Sequence, residues 1–509
     1  MKENSLLRNT IALYVRMFFS VCVNIYISRV ILDVLGVDDY GIYSIVGGVV
    51  ALISFINSTM SGSTSRFLSV AIGGGDKEKL TSVYNAAKHL HGLIAILILI
   101  IGETIGVWMI NNYLSIPSDK TAVANLVYQL SLFTMLFSIL HVPYTAMIIS
   151  MERMDVYSKI EIVNILMKLG VVLILPYFAK DRLFFYGLLL LIEGIVIYYI
   201  YKLYCKTNYK EHKYSWNIEF NNIRPMLLFS GWDLLGWGGV TFSTQGRQIF
   251  INKFFGVALN AANGMASTAS IALTTFTNNV VMAFRPRIIK YYANGNYYKM
   301  QQLVEVALLL VMMMMAIIMV PMFYGLSFLL NIWLVKVPIF TLEFCRLLLI
   351  LNFVEVINTV IKIGIHASGI MKKFTIIGFI VHIANLLMTY LLFLFGVSVL
   401  STYVVAILLS CLLVIMNIII LKEVIPEIKL KRICFKILLG LSMVLIASAL
   451  CYPFFILWGE GSLYTLFGSL VVTLFVAVIF GLITFKNEIN EIMRKIGLRR
   501  YAKNKNFIF

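Results

Sequence analysis

The sequence predicts an all-α polytopic membrane protein of about 14 transmembrane helices: two six-helix lobes in a pseudo-two-fold arrangement plus two C-terminal helices. Three observations predict it. Of 509 residues, 60% are hydrophobic and 13% charged, outside the range of soluble globular chains. Apolar runs of about 20 residues recur along the whole chain, each able to cross roughly 30 Å of hydrocarbon, and the short alternating segments of a β-barrel are absent. A basic, glycine-marked segment also occurs twice, about 220 residues apart.

Taken in order, the spans fall near 10–32, 41–71, 90–112, 122–150, 157–178 and 183–204 in the first half. The second half follows with 225–251, 258–284, 301–331, 342–367, 373–396 and 398–421, and then 434–457 and 463–485. The runs 41–71 and 301–331 exceed the bilayer thickness and are expected to tilt or protrude. The polar stretch Lys206–Asn222 is the longest connection in the middle of the chain. It divides an N-terminal lobe (1–205) from a C-terminal lobe (223–424), with 206–222 as cytoplasmic linker, 425–485 as two extra helices and 486–509 as basic cytoplasmic tail. Ile489, Ile492, Met493 and Ile496 lie on one face of that tail at helical spacing, the pattern of an interfacial helix on an anionic leaflet.

The repeat pairs LGVDDYGIYSIVGG and STSRFLSVAIGGGDKEKL with FGVALNAANGMASTAS and AFRPRIIKYYANGNYYKM. Gly36-Val37 matches Gly256-Val257, Gly41 falls near Gly264, Arg66 near Arg285 and Arg287, and Gly75 with Lys79 matches Gly295 with Lys299. Its length exceeds that of a solenoid unit and suits duplicated multi-helix lobes. Each copy holds the end of one lobe's first helix, a tight turn and the second helix.

A net charge of +18 does not point to nucleic acid, because the Lys and Arg sit in short connections and not on a soluble basic face. Roughly 32 of the 42 Lys and Arg collect on one side of the bilayer, against about five opposite (Lys120, Lys180, Arg182, Lys253, Lys336). The positive-inside rule then puts both termini of this multi-pass chain in the cytoplasm. Cys22, Cys205, Cys345, Cys411, Cys434 and Cys451 lack metal-site spacing and read as structural thiols. No Walker A sequence, Ser/His/Asp set or HExxH is present, so no enzyme activity, catalytic residue, metal or cofactor is expected.

Charges within the spans carry the functional signal, since an ionisable group in hydrocarbon is costly unless it faces a cavity or a partner. Arg16 and Arg29 lie in the first helix, Arg247 in the seventh with Gln245 and Gln248, and Arg66 and Arg285 near the ends of the second and eighth. Guanidinium groups stay charged at any depth and pair bidentately with phosphate, so these five are candidates for an anion-binding cavity. Snorkelling to the interface is the competing reading, weightiest for Arg29, Arg66 and Arg285. Asp233, in the glycine-rich FSGWDLLGWGG, and Glu193 are candidates for ion coupling to a proton or sodium gradient; Glu193 can equally pair with Lys168 as a structural contact.

The segment SRVILDVLGVDDYGIYSIVGG, followed by SRFLSVAIGGGDKEKL, resembles the start of bacterial polysaccharide (O-antigen, lipid-linked oligosaccharide) flippases of the multidrug/oligosaccharidyl-lipid/polysaccharide exporter superfamily. The resemblance covers the first twelve spans and is weaker in the second copy. It implies a V-shaped cavity between two lobes and an alternating-access cycle. The implied cargo is an undecaprenyl-diphosphate-linked glycan, moved from the cytoplasmic to the periplasmic leaflet for O-antigen or capsule biosynthesis. It also implies arginines of the first, second and eighth helices on the diphosphate, for which Arg16, Arg29, Arg66 and Arg285 are the candidates by position. Polysaccharide polymerase and glycosyltransferases are the implied partners, with the chain acting as a monomer. A cation-coupled multidrug exporter of the same superfamily is the alternative, expected to have an acidic or apolar cavity. A non-transporting scaffold of polysaccharide assembly would leave the inward charges unexplained.

Overall fold

The structure is a computed structural model that describes residues 3–73, 77–151, 153–178, 181–209 and 220–484. Every regular element among them is helical. The first, α1 (Glu3–Gly73), is interrupted at Gly36, whose φ of 79° and ψ of 173° belong to a region open essentially to glycine alone. The chain continues through α2 (Lys77–Ile101), α3 (Thr121–Ser150), α4 (Met154–Ile174) and α5 (Arg182–Asn208). Then come α6 (Phe220–Phe255), α7 (Val257–Ala293), α8 (Tyr297–Trp333), α9 (Thr341–Ser368), α10 (Lys372–Leu394), α11 (Ser401–Val424), α12 (Leu430–Trp458) and α13 (Leu463–Thr484). Gly256, between α6 and α7, has φ 85°. Both copies of the repeat therefore turn from their first to their second helix at the corresponding glycine.

With α1 counted as two limbs, fourteen helices run through the described residues, as the hydrophobic runs predict. Eleven helical stretches are long and apolar enough to cross a membrane by length and composition, and the chain is a multi-pass membrane protein. The helices outrun the apolar segments. α2 begins at Lys77 and α7 continues to Ala293, so Lys77, Lys79, Lys88, Arg287 and Lys290 stand on helices beyond the spans expected from the sequence. Charge lowers hydropathy without ending a helix; what ends α7 is Gly295 (φ 69°), whose N–H donates to the Tyr292 carbonyl at 2.9 Å. Gly75, most of the 206–222 linker and the proposed tail helix at Ile489–Ile496 lie outside the described residues.

The chain forms two compact units. Unit 1 holds residues 1–273, 333–348 and 369–416. In it α3 packs on α5 and α1, α4 on α1 and α5, and α6 on α1 and α10. Ile42, Val46 and Val49 of the second α1 limb meet Leu90 and Ile94 of α2 and Val127, Tyr128 and Leu132 of α3 in one buried cluster. The end of α2 widens into π-helical turns at Gly102–Gly106 and Met109–Tyr113. Widening frees a carbonyl, and the Tyr128 hydroxyl donates to that of Gly102 at 2.8 Å. A side chain at Gly106 would collide with that same hydroxyl.

Unit 2 holds residues 274–332, 349–368 and 417–509. The two helices added beyond the repeat pack as a hairpin, α12 on α13, on α8. Leu466 fills the space beside Gly325, Met312 that beside Gly440, and Tyr324 donates to the Ser448 carbonyl at 3.1 Å. At the other end of α8, Gln301 bridges both backbone groups of Lys429 (2.9 and 3.1 Å), and the buried Glu305 pairs with Arg432 at 3.4 Å. The hairpin is thus tied to α8 along its length by close packing and by polar contacts at both ends.

Candidate functional site: a polar cavity in unit 1

Five helices of unit 1 enclose a cavity of about 630 Å³. Lining it are Gly47, Val50, Ala51 and Ser54 from α1, Asn164 and Lys168 from α4, and Glu193, Gly194 and Ile197 from α5. Trp237, Thr241 and Gln245 come from α6. From α3 come Ser131, Thr134, Ser138 and His141, a polar stripe at helical spacing on an otherwise apolar helix. Gly194 lets α5 close on α3, since a Cβ there would sit 3.2 Å from the Thr134 methyl group.

The lining is polar but nearly balanced in charge, with one carboxylate (Glu193) and one ammonium (Lys168). Glu193 is only 4% exposed. It makes no hydrogen bond or ion pair among the described residues, and Lys168 attracts it across the cavity from beyond ion-pair distance. The Asn164 Oδ1 is buried without a hydrogen-bond partner. Such groups cost roughly 1–3 kcal/mol when left unmade, so their clustering marks a place built to meet a polar occupant. At one wall His141 stacks on Tyr201 (ring centroids 5.2 Å apart), and the Tyr201 hydroxyl donates to Glu161 at 2.7 Å.

Beside the cavity the two copies of the repeat touch. Gln248 of α6 donates to the Ser44 carbonyl at 2.7 Å and to its Oγ at 2.6 Å. Gly41 faces the Val257 backbone, and Gly264 faces Tyr40 and Ser44, each too closely for a Cβ. Nearby, Asn252 accepts from the Ser115 N–H at 2.8 Å, and the Lys253 ammonium lies 3.8 Å from the centre of the Tyr113 ring. The same end carries the Lys120–Asp39 ion pair at 3.0 Å. Its hydrogen bond to Asp39 raises the Lys120 pKa above the ordinary lysine value.

The positions that correspond across the repeat also make corresponding contacts. Tyr43 of α1 meets Tyr186 of α5 edge to face at 4.9 Å. Its counterpart in the second copy, Asn263 of α7, accepts a hydrogen bond from Tyr403 of α11. Over the Tyr403 ring lies the Arg247 guanidinium, 4.7 Å from its centre. Arg247 is 6% exposed, its Nε has no hydrogen-bond partner, and no carboxylate is within ion-pair reach among the described residues.

The sequence-predicted residues therefore separate. Glu193 is on the cavity wall; Arg247 is buried in the same helix as the cavity residues Thr241 and Gln245. Arg29 and Arg66 are exposed and Arg285 is half-buried, and none of them lines the cavity. The side chains of Arg16 and Asp233 lie outside the described residues. Missed in the sequence were Asn164, Trp237 and the α3 stripe. The spacing of Ser131, Thr134, Ser138 and His141 is the signal that would have found the stripe.

No known family profile matches the chain. A curated relative, the uncharacterized membrane protein EpsK of Bacillus subtilis (strain 168), is 21% identical over 285 residues, 54% of this chain and 55% of EpsK. The chain thus spans about half the length of the curated relative it matches. Among solved structures, the lipid II flippase MurJ in an inward closed conformation superposes with a TM-score of 0.68 at 15% identity, covering 95% of this chain and 100% of that one. An inward-facing multidrug resistance MATE family transporter of the MOP superfamily superposes with a TM-score of 0.65 at 10% identity, covering 84% and 100%. The chain has the fold that MurJ and the MATE transporters share.

Proposed function

We propose that the protein moves an undecaprenyl-diphosphate-linked oligosaccharide between the leaflets of a bacterial cytoplasmic membrane by alternating access, for the assembly of a surface polysaccharide. The observation that carries the reading is Arg247. Among the described residues this buried guanidinium has no carboxylate partner, an arrangement that is costly in a membrane helix and that an anionic ligand would compensate. Stacking on Tyr403 fixes its plane, and the next residue, Gln248, holds the seam between the two repeat copies. An arginine so placed suits a diphosphate that must be gripped while one end of the path is sealed.

The charge asymmetry of the sequence puts the sealed Gly36/Gly256 end on the periplasmic side and both termini in the cytoplasm. A lipid-linked precursor would then load from the opposite, cytoplasmic side. Against the multidrug-exporter reading stands Lys168, which offsets the only cavity carboxylate among the described residues and leaves an organic cation no net attraction there.

The test is reconstitution of the full chain with a fluorescent undecaprenyl-diphosphate-linked sugar, reading leaflet accessibility over time. Wild type is expected to transfer the probe, Arg247→Lys to slow it and Arg247→Ala to slow it further. Equal transfer by wild type and Arg247→Ala would rule out this mechanism.

A further inference from the structure

The diphosphate reading of Arg247 leaves the cavity itself unexplained, because none of the candidate arginines with a described side chain lines it. Its chemistry excludes several occupants. A phosphate would find one ammonium, Lys168, opposed by Glu193. An organic cation or a coupling ion at Glu193 would meet Lys168. Among the described residues no three metal-ligating side chains come together. What remains is a wall of neutral hydroxyl and amide groups (Ser131, Thr134, Ser138, Asn164, Thr241, Gln245), with the indole of Trp237, 57% exposed, at its side.

We propose that this cavity is a glycan subsite that takes an uncharged hexose-type sugar, packed by its C–H face on Trp237 and hydrogen-bonded by Asn164 and Glu193. The proposal rests on the lipid-linked oligosaccharide reading only for how the sugar arrives. Vicinal sugar hydroxyls present alternating donors and acceptors a few ångströms apart. The Glu193 carboxylate accepts from such a pair, and the unpartnered Asn164 Oδ1 accepts from a neighbouring hydroxyl while its amide donates. Serine and threonine hydroxyls can donate or accept, and so adapt to either sense. Lys168 does not reach ion-pair distance of Glu193, so both carboxyl oxygens stay available to a ligand. The volume of about 630 Å³ is within the usual range for small-molecule sites. The grip is thus divided: sugar in the cavity, diphosphate at Arg247.

The test uses full-length protein in nanodiscs, free of sugar-headed detergent, titrated with chitotriose and maltotriose while the Trp237 component of tryptophan emission is followed by difference from Trp237→Phe. Saturable change is expected with at least one saccharide. Asn164→Ala is expected to weaken it about tenfold and Glu193→Gln about threefold to tenfold, the loss of one or two hydrogen bonds. Trp237→Ala, at an exposed position, should keep the wild-type melting temperature and lose saccharide binding as read by equilibrium dialysis. In a second arm, undecaprenyl diphosphate is compared with its N-acetylglucosaminyl form. The sugar-bearing lipid should bind more tightly, and Trp237→Ala should erase the difference while leaving the sugar-free lipid unchanged. Saccharide binding through Asn164 and Trp237 without lipid transfer would sink the flippase reading and leave the subsite standing. Lipid transfer with no preference for the sugar and no saccharide response up to about 10 mM would sink the subsite alone. A Trp237 signal that follows sodium or pH but no saccharide would overturn it in favour of an ion at Glu193.

Discussion

Gly41 and Val257, one from each copy of the repeat, meet so closely that a single methyl group on Gly41 would overlap the Val257 carbonyl oxygen. The reciprocal approach, Gly264 on Ser44, would leave an added Cβ 2.7 Å from the hydroxyl oxygen. Small residues allow helix backbones to touch in a membrane, where packing replaces the hydrophobic drive. This pair of glycines sets the closed seam.

Substitution of Gly41 by Leu is therefore expected to hold the seam open. A cysteine pair replacing Ser44 and Gln248, whose side chains meet at 2.6 Å, should cross-link readily in the otherwise native chain. Adding Gly41→Leu should reduce the cross-link several-fold, since overpacking typically costs about 1–3 kcal/mol. Unchanged cross-linking would mean that the helices accommodate the bulk.

Tyr403 is expected to matter to Arg247 in two separable ways. Tyr403→Phe keeps the ring under the guanidinium but loses the hydrogen bond to Asn263, at about 1 kcal/mol of stability with transfer activity retained. Tyr403→Leu removes the ring as well, and transfer of the fluorescent lipid should fall toward the level of Arg247→Ala. Thermal melting together with leaflet accessibility distinguishes the two.

The α8 anchor of the C-terminal hairpin predicts an asymmetry. Arg432→Ala leaves Glu305, 4% exposed, with only Gln301 as partner and should destabilise by about 1–3 kcal/mol. Glu305→Gln leaves no buried charge behind and should cost less. Melting of the purified protein reads both; a larger loss for Glu305→Gln would show that Arg432, half in solvent, is not the stabilising partner.

Lys120 gives a pH-linked prediction. Its pKa is raised in the folded chain by Asp39. The pair therefore stabilises fully below the unfolded lysine value near 10.4 and loses its effect as pH rises through the raised folded value. Lys120 is 40% exposed, so the contribution is expected to be only about 0.2–1 kcal/mol. At pH 8, Asp39→Asn and Lys120→Met should each lower the melting temperature slightly and not additively. Full additivity would show the pair to be energetically silent.

The architecture was legible in the sequence because both of its causes are local. Apolar length fixes the helices, and only glycine tolerates the backbone of Gly36 and Gly256, so the repeat could be read from two residues and their surroundings. The outer limits of α2 and α7 were not legible, because Lys77–Lys88 and Arg285–Lys290 change polarity at the bilayer surface without a helix-ending residue. In the cavity, Glu193 stood out as a charge in an apolar run. Asn164 and Trp237 did not, since a lone amide or indole in a membrane helix is ordinary until its neighbours are known. The arginines drew attention for the same reason as Glu193, yet burial separates Arg247 from Arg29 and Arg66, and that depends on helix rotation, which composition does not encode.

The central claim is tested most directly by the rate at which reconstituted protein transfers fluorescent undecaprenyl-diphosphate-N-acetylglucosamine between leaflets when the cavity is filled. Ser138→Trp places an indole into the α3 wall, and Leu445→Trp, at a 69% exposed position on α12, serves as control. The account predicts transfer by wild type and by Leu445→Trp at similar rates and a fall of about tenfold or more for a folded Ser138→Trp. Equal rates for all three, or no transfer by wild type, would contradict it.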